Sequence, residues 1–226
     1  MSAPAIPRGP ARPAAVFFDL DGTLADTAAD LAAPINAIRT ERGLPALALD
    51  ALRPYASMGA RGLIGRGLDV GVDHPEFAAL REDFLRRYEA ALCVHTRLFD
   101  GMAQVLDALD AAGIAWGVVS NKAERYVRPI LAQLALLDRA RTAIGGDTTA
   151  HAKPHPEPLL HASRLVGVEP TACLYVGDDL RDVQAARAAG MVPVVAAYGF
   201  CGEAVPVDQW GGDVLLAAPI ELLRLI

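Results

Sequence analysis

The stretch Val16-Phe17-Phe18-Asp19-Leu20-Asp21-Gly22-Thr23-Leu24 leaves this chain little freedom in what it can fold into. Three apolar, strand-favouring residues run into two carboxylates one residue apart, then a glycine and a hydroxyl. An apolar run of this kind reads as a strand buried on both faces, as in a parallel sheet. Asp19 and Asp21 would then stand at the sheet's carboxyl end, the edge where open α/β sheets bind ligands. Two carboxylates so close repel, and both stay ionised only beside a cation or strong donors. The natural division of labour makes Asp19 a nucleophile or metal ligand and Asp21 a proton donor and acceptor, with Mg²⁺ between them. Alone, the stretch reads equally well as a solvated Asp-Gly turn followed by a helix cap. The rest of the chain has to decide.

Past the turn, Asp26 or Thr27 is expected to cap a helix with Leu31, Ile35 and Ile38 on one face, ending near Gly43. From there to Leu98 no strand is evident. Helical spacing predicts helices over 49–55, 61–68 and 75–92, the last carrying Phe77, Leu80, Phe84, Leu85 and Tyr88. Such a stretch is too long for an ordinary crossover and reads as an inserted helical cap. Beyond Phe99, strands and helices alternate: strands near 115–120, 143–145, 172–176, 192–196 and 214–216, with helices between them and a last helix from Pro219. That alternation implies βαβ units and a doubly wound parallel sheet. The expected organisation is a disordered Pro/Ala-rich lead-in over 1–14, an α/β core from 15–27 and 99–226, and a helical cap over 28–98. With 226 residues, 53% of them hydrophobic, the chain can bury a core and an insert together.

Three further strand ends carry polar groups. The sequence Ser120-Asn121-Lys122 follows one strand, and a hydroxyl there suits a phosphate oxygen, though it also suits a simple N-cap. Lys153 sits before a proline in the loop opening a helix, where it makes a restrained point charge for a phosphoryl group; surface lysines are common too. Gly177-Asp178-Asp179 follows a third apolar strand, so that Asp178 joins Asp19 and Asp21 in a hard oxygen site suited to Mg²⁺. Asp179 and Asp182 would stand behind it, or simply open the next helix. His155 reads as a solvent-facing loop residue.

The set Asp19-x-Asp21-Gly-Thr-Leu-x-Asp26, Ser120, Lys153-Pro and Gly177-Asp178-Asp179 resembles the four motifs of the haloacid-dehalogenase-like hydrolases, in order and over nearly the whole chain. The resemblance implies a Rossmann-like core, a helical cap after the first motif, and phosphoryl transfer through an aspartyl-phosphate on Asp19. Asp21 would protonate the leaving alkoxide and later activate water. Mg²⁺ would be held by the Asp19 carboxylate, the Asp21 main-chain carbonyl and Asp178, with Ser120 and Lys153 on the phosphoryl oxygens and Asn121 among the substrate-binding residues. Within the family the chain is most similar to the phosphoglycolate phosphatase group. Ser57-Met58-Gly59-Ala60-Arg61 and the segment from Cys93 to Met102 resemble the N-acetylmuramic acid 6-phosphate phosphatases. Both substrates carry a carboxylate, which Arg61 could bind bidentately, with Lys122 and Arg125 as further candidates.

A dehalogenase has no need of a proton donor at Asp21, and a receiver domain needs only about half this length. A sugar phosphomutase shares the first carboxylates and stays open. The formal net charge of −6 gives no basic footprint for nucleic acid. No apolar run is long enough for a membrane span, and the lead-in lacks the apolar core of a secretory signal. Three scattered cysteines fit a reducing compartment, each a small buried residue. The expectation is a cytoplasmic monomer or homodimer acting on a small phosphorylated metabolite.

Overall fold

The computed structural model describes residues 12–202 and 204–226, so that most of the expected lead-in lies outside the described residues. Arg12 and Ala14, at its end, are tied down: Arg12 donates to the Ala112 carbonyl at 2.5 Å and the Ala14 N–H to the Ala172 carbonyl at 2.8 Å.

The elements run β1 (Ala15–Phe18), β2 (Ala25–Asp26), α1 (Ala28–Glu41), α2 (Leu49–Leu52), α3 (Gly59–Leu68), α4 (Phe77–Ala90) and β3 (Arg97–Leu98). They continue with α5 (Met102–Ala111), β4 (Ala115–Val119), α6 (Glu124–Gln133), β5 (Ala143–Ile144), α7 (Glu157–Val166), β6 (Cys173–Gly177), α8 (Leu180–Ala189), β7 (Val192–Ala196) and β8 (Val214–Leu216). Six strands form one parallel sheet in the order β5-β4-β1-β6-β7-β8. This is the doubly wound α/β core expected from the alternation. Side chains alternate across β1. Val16 and Phe18 pack with α5 and α6, while Ala15 and Phe17 pack with α7 and α8 on the other face. All four are fully buried, which is why the strand reads as an unbroken apolar run. The chain leaves β1 for β4 on one side and later returns through β6 on the other. The carboxyl end of β1 therefore faces the crevice where the strand order reverses.

Helices α1 to α4 bury a separate apolar cluster, with Leu31, Ile35, Leu63, Ile64, Phe84 and Tyr88 at its heart. Tyr126 from α6 and Phe200 join it and seat this unit on the sheet's edge. Three local expectations change. The stretch from Gly43 read as free of strands up to Leu98 closes on β3, which pairs antiparallel with β2 where the chain leaves and re-enters the core; two residues are too few to show a period. The helix expected over 49–55 is α2 followed by a 3₁₀ turn, Arg53–Met58, with Pro54 at its start. The last helix is 3₁₀ as well, Pro219–Leu225. All three cysteines are free, but only Cys173 is fully buried.

Candidate active site

Asp19 leaves β1, Ser120 leaves β4, Asp178 leaves β6, and Lys153 comes from the loop ahead of α7. All four are buried at one edge of the sheet. Lys153 is the hub. Its ammonium lies 3.1 Å from Asp19 Oδ1 and 2.8 Å from Asp182 Oδ1, and donates to the Tyr175 hydroxyl at 2.7 Å and the Val119 carbonyl at 3.1 Å. Burial pulls its pKa down, but Asp182 and Asp19 outweigh that and hold it above the ordinary lysine value. Asn121 fixes the Lys153 backbone, donating to its carbonyl and accepting its N–H, both at 2.9 Å. The side chain expected on the substrate therefore has a positioning task. Among the described residues Ser120 Oγ accepts only the Lys122 N–H, at 3.3 Å, and it lines the cavity.

Carboxylate oxygens of Asp19, Asp178 and Asp182 lie within 4.8 Å of one another, all buried. Burial first, then Asp19 and Asp182, push the Asp178 carboxyl well above its usual range. Asp182 is raised by burial too, against the pull of Lys153. Three donors reach Asp178: Thr23 Oγ1 at 2.9 Å, the Phe200 N–H at 2.9 Å, and Ser57 Oγ at 3.1 Å. The backbone closes on it so tightly that a Cβ on Gly22, where φ is +83°, would lie 2.1 Å from Asp178 Oδ2. Three converging buried carboxylates offer an all-oxygen donor set, and their repulsion is relieved by a hard divalent cation. The residues fit Mg²⁺.

Asp182 was expected behind this set, yet it completes the trio while the Asp21 side chain turns away. Its two oxygens meet the Lys122 ammonium at 3.0 and 2.9 Å, and Thr27 Oγ1 donates to Oδ1 at 2.6 Å. The reason is local: the chain folds back after Asp19, whose carbonyl accepts the Leu24 N–H at 3.2 Å, so spacing along a strand no longer sets direction. Thr27 is thus occupied with Asp21, and Asp26 Oδ1 accepts the Ala28 N–H at the start of α1, at 3.2 Å. Asp179 forms a capping box with Asp182 at the start of α8. Lys122 is buried over the Tyr88 ring, 4.7 Å from its centroid. Burial lowers its pKa, but Asp21 above all, and then Tyr88, raise it past the ordinary value.

A cavity of about 670 Å³ opens between this edge and the helical unit. Asp19, Asp21 and Lys153 line its floor; Ser57, Arg61 and Tyr88 line the helical side. Arg61 stands exposed at the rim of α3. Sequence reasoning marked Ser57 only as part of a cap motif, and had no signal for Tyr88 as a site residue or for Lys122 as the partner of Asp21. Ser57 also ties the helical unit to the core, since Arg181 donates to its carbonyl at 2.9 Å.

Residues 16–196 match the family model described as haloacid dehalogenase-like hydrolase. The chain is 47% identical to a protein named phosphoglycolate phosphatase from Xanthomonas campestris pv. campestris, over 93% of this chain and 95% of the relative. It is 40% identical to one named N-acetylmuramic acid 6-phosphate phosphatase from Pseudomonas putida, over 94% and 95%. A crystal structure described as a predicted phosphoglycolate phosphatase from Haemophilus somnus superposes with a TM-score of 0.81 at 30% identity, covering 93% of this chain and 96% of that one. The sheet order, the polar strand ends and these relatives agree: the chain belongs to the haloacid dehalogenase-like hydrolase family.

Proposed function

We propose that this protein is a Mg²⁺-dependent phosphatase that hydrolyses a small phosphate monoester through an aspartyl-phosphate on Asp19. The observation that carries the reading is the placement of Lys153 between Asp19 and Asp182, beside the buried Asp178. A cationic hub against a carboxylate trio suits a reaction in which catalysis is mostly positioning and charge neutralisation. Bound by Asp19, Asp178 and Asp182, with the Asp21 carbonyl, Mg²⁺ would neutralise the carboxylates and the phosphoryl oxygens.

The Leu20 N–H, at 2.7 Å, and Lys153 pin Asp19 Oδ1, leaving Oδ2 to attack phosphorus. As the new P–O bond forms, the bond to the leaving oxygen breaks and Asp21, entering the step as the neutral acid, supplies its proton and becomes the carboxylate. Asp21 then takes a proton from the water that cleaves the acyl phosphate. Ser120 and Lys153 hold phosphoryl oxygens, and Asn121 keeps Lys153 in place. Residues 28–98 act as the cap over this chemistry, with 15–27 and 99–226 as the core.

Phosphoglycolate is the first substrate of this reading, supported by the relative at 47% identity and by Arg61 facing the cavity for a carboxylate. N-acetylmuramic acid 6-phosphate is the second. A cavity of about 670 Å³ has room for a sugar phosphate, and the relative at 40% identity points the same way. The expected cytoplasmic location is part of the proposal; among the described residues, no helix is long and apolar enough to cross a membrane.

The test is phosphate release with Mg²⁺ from these two substrates and from phenyl phosphate, with and without EDTA. Asp19→Asn is expected to lower kcat at least about a thousandfold while keeping its circular dichroism. Metal-independent release, or a mutant as active as the parent, would overturn the mechanism. The better of the two metabolites chooses the substrate.

A further inference from the structure

Tyr88, on α4, is a cavity group that the proposed chemistry leaves without a task. It is 2% exposed, and the group within reach of its hydroxyl is the Lys122 ammonium, which offers protons only, so that the O–H itself has no acceptor among the described residues. A buried hydroxyl left unpaired costs stability, and a phenylalanine would fill the same space without that cost. The other buried orphan hydroxyl, Thr142, packs against Gly117 and does not line the cavity.

The ring is held from several sides. Tyr126 meets it edge-on at 5.5 Å, Phe84 stacks at 6.5 Å, and the Lys122 ammonium sits over its face. The direction of the hydroxyl is therefore set before any ligand arrives. Burial, more than any charge nearby, pushes the phenol up to about 12, so that it remains a donor at neutral pH. Its place in the reaction follows from Lys122, which holds both oxygens of Asp21. In the reading above, Ser120 and Lys153 mark the phosphoryl side of the cavity, and Asp21 marks the leaving-group side. Tyr88 belongs to the second.

We propose that Tyr88 determines specificity: its hydroxyl donates a hydrogen bond to an oxygen on the carbon skeleton of the leaving group. That oxygen is a carboxylate, hydroxyl or carbonyl. The inference rests on the phosphatase reading and adds a substrate requirement to it. A leaving group with no such oxygen leaves the hydroxyl unpaired in the closed site, a mismatch that polar pockets reject strongly.

The experiment compares kcat/KM for the preferred metabolite with kcat/KM for phenyl phosphate, in wild type, Tyr88→Phe and Tyr88→Leu. Tyr88→Phe is expected to lower that ratio at least about tenfold, mainly through KM, as loss of one substrate hydrogen bond does. Tyr88→Leu also removes the ring from Lys122 and should depress both substrates. An unchanged ratio in Tyr88→Phe, or an equal loss on both substrates, would show a packing role and overturn the inference. A wild type that releases no phosphate from any substrate brings down the phosphatase reading itself, a different failure.

Discussion

Lys153 and Arg61 are both cations lining one cavity, and they are held in opposite ways. Lys153 comes from the sheet edge, is 4% exposed and has four oxygen partners, two of them carboxylates. Arg61 comes from the helical unit, is exposed, and makes no ion pair or hydrogen bond among the described residues. The first is preorganised, so its charge is in place before any phosphate arrives. In the proposed reading, the second is free to meet whatever group the substrate carries at its far end. The contrast separates a fixed cation at the sheet edge from a free one on the helical unit, the proposed reaction centre from the proposed selecting surface, and each half can be attacked alone.

Lys153→Met should break the fixed half and have the largest effect. It strands Asp19 and Asp182 as buried carboxylates without their cation, a loss of about 3–5 kcal/mol by analogy with broken buried pairs. Thermal unfolding would show it as a lower midpoint, and activity should disappear. Because the same acids are the proposed metal ligands, added Mg²⁺ should recover part of the lost stability, more than it adds to wild type. A variant as stable as wild type without metal would mean that Lys153 does not hold the trio.

Arg61→Ala sharpens the comparison from the other side. For a carboxylate-bearing substrate, KM should rise about tenfold with kcat nearly unchanged, the signature of lost uniform binding. The melting midpoint should stay within about 1 °C, as for other exposed substitutions. Steady-state kinetics with phenyl phosphate supplies the control, since it offers no carboxylate.

The smallest effect concerns how the helical unit holds itself together. Arg87 on α4 bonds Glu41 on α1 at 2.8 and 2.6 Å and Asp83 at 2.9 Å. Its hydrogen bond lowers the Glu41 pKa, and for Asp83 the bonds to Arg87 and Arg86 outweigh a first, opposing effect of burial. Depressed carboxylates stabilise the fold above their unfolded pKa, and that contribution is lost as pH falls through the folded value. Arg87→Ala should therefore show a small deficit in melting midpoint at pH 7 that shrinks between about pH 5 and pH 3. A deficit independent of pH would assign the role of Arg87 to packing.

Much of the fold was legible because the core is written in local signals. The apolar runs at β1, β4 and β6 mark strands buried on both faces, and a parallel sheet brings their carboxyl ends to one edge. Asp19, Ser120 and Asp178 could be placed together for that reason, and Lys153 stands out beside its prolines. Illegible were the two-residue pair β2–β3, the 3₁₀ turn at Arg53–Met58, and the direction of side chains in loops. Asp21 shows the limit most clearly. Its spacing from Asp19 suggested a shared metal site, yet the tight turn sends its side chain to Lys122, 101 residues further along the chain.

By itself, then, the sequence determined the layered architecture and which polar residues end the strands, since periodicity and strand-end chemistry are properties of neighbours along the chain. Only the tertiary structure decided the pairings: Asp182 with Lys153, Ser57 with Asp178 across 121 residues, and Tyr88 over Lys122 with its O–H lacking an acceptor. Hydrogen bonds and ion pairs are made or lost over a few tenths of an ångström. Distances of that order are set by how the helical unit seats on the sheet, which no local pattern encodes.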